Sequence, residues 1–169
     1  MNYFELYNIP VSLHLNAADV KKKFYELSRQ YHPDFFTNES KDQQADILEM
    51  SSLVNKAFKT FSNEDETIKY VLQLKGLLEE EEKYQLPSNF LMDVMDLNEQ
   101  LMEAKMDGDE VIIASLKSQI KNLKTEIYAP VKEIIEHYKD DLSSEKELLQ
   151  VKDYYYKKKY LNRILAGIK

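Results

Sequence analysis

The chain has no cysteine, only three glycines and four prolines, and no apolar run approaching the roughly eighteen residues of a membrane-spanning helix. Without thiols there can be no disulfide, thiol nucleophile, cysteine zinc site or iron–sulfur ligation by this chain. So little glycine and proline leaves few residues for the many turns of a β-sandwich or barrel, whereas leucine, lysine and glutamate are abundant. Helices are therefore expected almost throughout. Cations are also in deficit: 23 Lys and Arg stand against 30 Asp and Glu, a net charge of −7 with a pI near 5.1. That balance argues against nonspecific nucleic-acid binding, which needs a basic surface to neutralise phosphates, and serves solubility instead. The three histidines, His14, His32 and His137, are far apart in sequence and form no metal-ligand spacing, so no metal or cofactor is expected. Met1-Asn2-Tyr3-Phe4-Glu5 does not read as a signal peptide. No membrane partner is expected, and the chain reads as a soluble, cytoplasmic protein.

With 43% hydrophobic residues in 169, the chain can bury a core. Its most informative stretch is Tyr31-His32-Pro33-Asp34, a polar stop between two amphipathic segments. Before it, Val20, Phe24, Leu27 and Tyr31 recur at helical spacing within 17–31; after it, Ile47, Met50, Val54, Phe58 and Phe61 do the same within 40–61. The two stripes can face each other as an antiparallel hairpin. Pro33 ends the first helix, because it brings no amide donor and pushes the preceding residue out of the helical region. Asn16 is a fair N-cap for that helix. Lys22 and Arg29, seven residues apart, share its polar side.

A short helix is expected over 2–8 and another over 64–74, with Gly76 as its stop. Glu79-Glu80-Glu81-Glu82 puts four like charges side by side and Pro87 follows, so 77–87 reads as a linker between domains at 1–76 and 88–169. In the second half, Ser88 caps a helix to about residue 106 and Asp107-Gly108-Asp109 forms a turn. A helix from 110 to about 140 is expected to kink or break at Pro130, and a last helix starts after Ser144. These make a three-helix antiparallel bundle.

No serine or threonine nucleophile is marked by its context, and there is no phosphate-binding glycine loop and no His-Glu-x-x-His motif. An enzyme is therefore not expected. A binding module fits better: His32 offers a donor ring and Asp34 an acceptor carboxylate on a stiff backbone, suited to a polar, acidic partner surface. On the helix from Ser88, Val94, Leu97, Leu101 and Ala104 suffice for the core. Leu91, Met92 and Met95 lie elsewhere, bordered by Asp96, Glu99 and Glu103: either a partner site or a wider core stripe with solvated acids beside it.

Four features stand in the order found in J domains. They are Tyr3-Phe4-Glu5-Leu6-Tyr7-Asn8-Ile9-Pro10, the basic helix from Val20 to Tyr31, His32-Pro33-Asp34, and Val54-Asn55-Lys56-Ala57-Phe58-Lys59-Thr60-Phe61. Residues 3–74 therefore resemble a J domain. The resemblance implies docking on a seventy-kilodalton heat-shock chaperone and stimulation of its ATPase. His32, Pro33 and Asp34 would then be the trigger, and Lys22, Lys23 and Arg29 the docking charges. J domains commonly have lysine after the tripeptide; here Phe35 and Phe36 follow, two aromatics that either tuck back into the hairpin or change the partner contacts. With Phe90-Leu91-Met92 opening an acidic, apolar helix, the whole chain resembles the HscB family of J proteins of iron–sulfur cluster assembly. That resemblance implies an all-α fold of J domain plus C-terminal three-helix bundle, with no catalytic activity of its own. Its implied partners are an IscU-type scaffold protein and an HscA/DnaK-type chaperone, joined by a monomer. Leu91, Met92, Met95, Asp96, Glu99 and Glu103 would bind the scaffold, with Tyr155 or Tyr156 as the nearest counterpart of the family's aromatic on the last helix. A J-like helical adaptor for a different client is the alternative.

Overall fold

The structure, a computed structural model, describes residues 1–167. Its helices are α1 (Tyr3–Tyr7), α2 (Ala17–Gln30), α3 (Lys41–Phe61), α4 (Glu64–Leu74), α5 (Ser88–Asp107), α6 (Glu110–Tyr128), α7 (Lys132–Glu136) and α8 (Glu145–Ala166), with short 3-10 turns at Pro33–Phe36 and Ala129–Val131. The described residues contain no strand. The fold is all-α among the described residues, a helical hairpin with flanking short helices followed by a helical bundle. It divides into two compact units, one made of Met1–Lys75 with Ile135–Ser143, the other of Gly76–Ile134 with the chain from Ser144 onward.

In the first unit α2 lies against α3, which also contacts α1 and α4. Val20, Val54, Ala57 and Phe61 are buried, and Phe24 stacks on Phe58 with ring centroids 4.1 Å apart. Phe4 and Tyr7 of α1 close over Phe61 at 4.9 and 5.2 Å. The buried Tyr7 hydroxyl donates to the Val54 carbonyl at 2.8 Å. Side-chain caps satisfy the free amides of each helix start: Asn16 accepts from Ala18 and Asp19, Ser40 from Gln43, and Asn63 from Glu66.

The expected helix from 110 to about 140 ends earlier, at Tyr128. Pro130 has no amide proton to continue the ladder, so the chain passes through the 3-10 turn into the short α7. Residues 135–143 then belong to the first unit, where Tyr138 is buried and donates to Asp140 at 2.9 Å, and Lys75 pairs with Asp140.

The second unit packs α6 against both α5 and α8. Its core joins Phe90, Val94, Leu101 and Ala104 to Leu116 and Ile120 and to Leu161 and Ile164. Pro87 occupies the cap position of α5 without a side-chain bond. The expected cap, Ser88, falls inside the first turn because the helix starts one residue early. Gly108, at φ 66°, takes the left-handed conformation that closes α5, and Asp109 caps α6 by accepting from Ile112 at 3.2 Å.

The acidic run expected to be a linker is counted in this unit. Glu79, Glu80 and Glu81 remain exposed, but Glu81 has φ 59° and the turn directs Glu82 toward α8. There Glu82 accepts from Lys152 at 3.0 Å and from the Tyr156 hydroxyl at 3.1 Å. Tyr84 stacks on Tyr156 at 4.5 Å and donates to Asp153 at 2.8 Å. A carboxylate that would repel its neighbours in an isolated run is neutralised by a cation about seventy residues away.

The Lys75 hydrogen bond holds the Asp140 carboxyl below its ordinary value, with burial opposing and the Tyr138 hydroxyl assisting. A carboxyl depressed in the folded state contributes stability that is present above its unfolded value and is lost as pH falls through the folded one. Asp140→Asn is expected to lower the unfolding free energy at pH 7, by no more than about 1 kcal/mol for a half-exposed pair. The gap to the wild type should narrow as pH is taken below the ordinary value of 3.8. Urea titrations at several pH values measure it; a gap that widens toward acid would contradict this pairing.

Candidate functional site

Two exposed surfaces carry the residues singled out by sequence, one on each unit. On the first, α2 ends at Tyr31 and the chain enters the Pro33–Phe36 turn with His32 as its cap, in extended backbone. The His32 Nδ1 accepts from the Asp34 amide at 3.3 Å. The Asp34 carboxylate approaches the same nitrogen at 3.6 Å, but an Nδ1 that accepts an amide proton carries none, so this approach is not an ion pair. The arrangement leaves Nε2–H as the ring's donor, with the His32 side chain 51% exposed and that of Asp34 84% exposed. The turn buries no side chain. The backbone turn and the Asp34 amide on the His32 ring hold the tip, and ring and carboxylate stay exposed.

Lys22, Arg29, His32 and Asp34 line one open groove of about 610 Å³, together with Tyr25, Glu26, Ser28 and Phe35. Of the other two expected tip residues, Pro33 is exposed in the turn, whereas Lys23 is half-buried and does not line the groove, because it lies one residue round the helix from Lys22. The two aromatics after the tripeptide divide: Phe36 is half-buried and Phe35 is exposed. Tyr25 went unnoticed in the sequence, although its place between Lys22 and Arg29 on one helical face was the available signal.

On the second unit, α5 has one buried stripe and one exposed. Phe90, Val94, Leu101 and Ala104 face the core, while Met92 is 72% and Met95 58% exposed. Asp96, Glu99 and Glu103 are exposed beside them. The stripe runs further than expected: Met102 and Met106 continue it at helical spacing, 58% and 87% exposed. Four of the six methionines in the chain thus lie along one solvent-facing line.

Leu91 is half-buried at the edge of that line. It enters a groove of about 500 Å³ that also contains Tyr84, Tyr156, Lys159, Tyr160 and Arg163. Of the two candidate aromatics on α8, Tyr155 is buried and closed to a partner, while Tyr156 lines this groove. Tyr160 and Arg163, not singled out by sequence, line both this groove and a second one further along α5 that holds Asn98, Leu101, Met102 and Lys105. Burial and the hydrogen bond to Glu82 push the Tyr156 hydroxyl up, and burial and the bond to Asp153 push that of Tyr84 up to about 12, so both remain neutral donors. Among the described residues no three histidine or acidic side chains converge to hold a metal, and no helix is long and apolar enough to cross a membrane.

An antiparallel hairpin with a His-Pro-Asp tip, joined to a helical bundle, defines a two-unit J protein. Residues 86–169 match the family model described as the HSCB C-terminal oligomerisation domain. The chain is 32% identical over 168 residues to a co-chaperone protein HscB homolog of Acinetobacter baumannii, covering 99% of this chain and 88% of that one. It is 30% identical over 137 residues to an HscB homolog of Shewanella amazonensis, covering 80% and 79%. The fold superposes on the crystal structure of human co-chaperone protein HscB with a TM-score of 0.79 at 27% identity, covering 99% of this chain and 80% of that one. Chaperone HscB from Vibrio cholerae shares the fold with a TM-score of 0.75 at 22% identity, covering 99% and 95%. The chain belongs to the HscB co-chaperone family.

The two kinds of position separate in unfolding experiments. Tyr155→Ala is expected to cost about 3–5 kcal/mol, as truncation of a buried aromatic does. Met92→Ala should stay within about 0.5 kcal/mol of the wild type, because its side chain is already in water. Urea titration reads both; equal losses would place Met92 in the core.

Proposed function

We propose that this co-chaperone binds an IscU-type scaffold protein through α5 and delivers it to an HscA/DnaK-type heat-shock chaperone, whose ATPase it stimulates through the His32-Pro33-Asp34 tip. The observation that carries the reading is the presence, in one chain of the HscB family, of an outward-facing tripeptide and a methionine line rimmed by carboxylates. Thioethers adapt their shape to a partner, and acids beside them favour a basic rim on the client. Leu91, Met92, Met95, Asp96, Glu99 and Glu103 make this surface, with Tyr156 at its edge. Lys22 and Arg29, with the farther Lys23, draw the acidic chaperone surface to the tip.

Binding both partners at once makes the second association effectively intramolecular, so the client's local concentration at the chaperone rises without any new contact. ATP hydrolysis then closes the chaperone on the client. The chemistry is the partner's: this chain acts as a monomeric, cytoplasmic adaptor with no reaction of its own.

In a steady-state ATPase assay, the wild type with scaffold should accelerate the chaperone. His32→Gln should abolish the gain while scaffold affinity, read by calorimetry, stays the same. Met92→Ala combined with Glu99→Ala should weaken scaffold binding by about tenfold or more, the loss expected of an apolar anchor and a rim charge together. Unchanged scaffold binding in that double variant would remove α5 from the interface, and an adaptor for another client would become the better reading.

A further inference from the structure

The groove beside the tip has two aromatic walls that the tripeptide chemistry does not use. Tyr25 is 53% exposed and Phe35 72% exposed, and both line the same cavity of about 610 Å³. Single exposed rings are common; here two stand on one groove and give it apolar walls. Phe36, the next residue, is half-buried, whereas Phe35 stays in water.

Cations bracket these walls. Lys22 and Arg29 lie three residues before and four after Tyr25 on the same face of α2, about 10 Å apart along the helix axis. Both are exposed, and neither makes an ion pair among the described residues. Glu26 and Asp34 also line the groove and would repel an acid placed at its centre. The fitting occupant is therefore uncharged and apolar at the middle and acidic at both ends, which a uniformly charged polyanion is not.

We infer that Tyr25 and Phe35 form an aromatic clamp that takes one aliphatic side chain of the chaperone's ATPase domain, flanked by carboxylates that meet Lys22 and Arg29. This rests on the delivery reading above. The clamp sets affinity for the chaperone, and the His32 ring, edge-on to Phe35 at 5.7 Å, delivers the stimulation beside it.

The test titrates the full chain into the source cell's seventy-kilodalton heat-shock chaperone and measures steady-state phosphate release. Tyr25→Ala and Phe35→Ala are each expected to raise the half-maximal concentration by about five- to tenfold while leaving the maximal rate within twofold. The double variant should raise it by less than the product of the two, because both rings hold the same side chain. Phe35→Tyr should preserve it, and melting curves should be unchanged in all four, since both rings are exposed. His32→Gln should give no stimulation at any concentration. If the wild type stimulates and both alanine variants keep the half-maximal concentration within twofold, the clamp is overturned and the delivery reading stands. A wild type that does not stimulate overturns both. A dimer in sedimentation that Phe35→Ala dissociates would give the groove to a second copy and overturn the clamp.

Discussion

Phe24 and Phe58 stack at 4.1 Å across α2 and α3, and the exposed tip depends on that contact. With the two helices held side by side, the residues between them must turn, and Pro33 decides how: the helix cannot run through it, and its ring fixes its own φ and keeps His32 extended. The turn buries no residue of its own, so its geometry comes from its flanks and from the Asp34 amide on the His32 ring. Every polar group that a partner needs can then stay in water at little cost to folding. Because the tip is ordered before any partner arrives, less conformational freedom is lost on docking.

The second unit solves a different problem with the same economy of elements. A bundle helix has one face to bury, and α5 buries Val94, Leu101 and Ala104 against α6 and α8. The methionines on its other face contribute nothing to that core. They can be tuned to a client without unfolding the bundle, while the carboxylates beside them keep an apolar line dispersed in solution. Separating the surface that binds from the surface that folds lets one helix serve both purposes.

Much of this was legible in the chain as written. The hairpin, the stop at Pro33, the caps at Asn16 and Ser144 and the doubled stripe of α5 all follow from local rules of spacing and hydrogen bonding. What escaped was decided at a distance. Glu82 reads as one of four repelling charges until Lys152 and Tyr156 stand beside it. Residues 135–140 read as the end of a bundle helix until Lys75 pairs with Asp140 in the other unit. Ser88 was read as a cap, but the helix had already begun at it.

By itself the sequence determined the number and kind of its long helices and the solvent-facing place of His32, because periodicity, caps and a proline act within a few residues. Only the tertiary structure decided which of two adjacent tyrosines, Tyr155 or Tyr156, is closed off, which of Phe35 and Phe36 faces water, and which lysines share a groove with the tip. Neighbours in sequence have the same local propensity, but one position of rotation around a helix or turn separates a side chain with packing partners from one without.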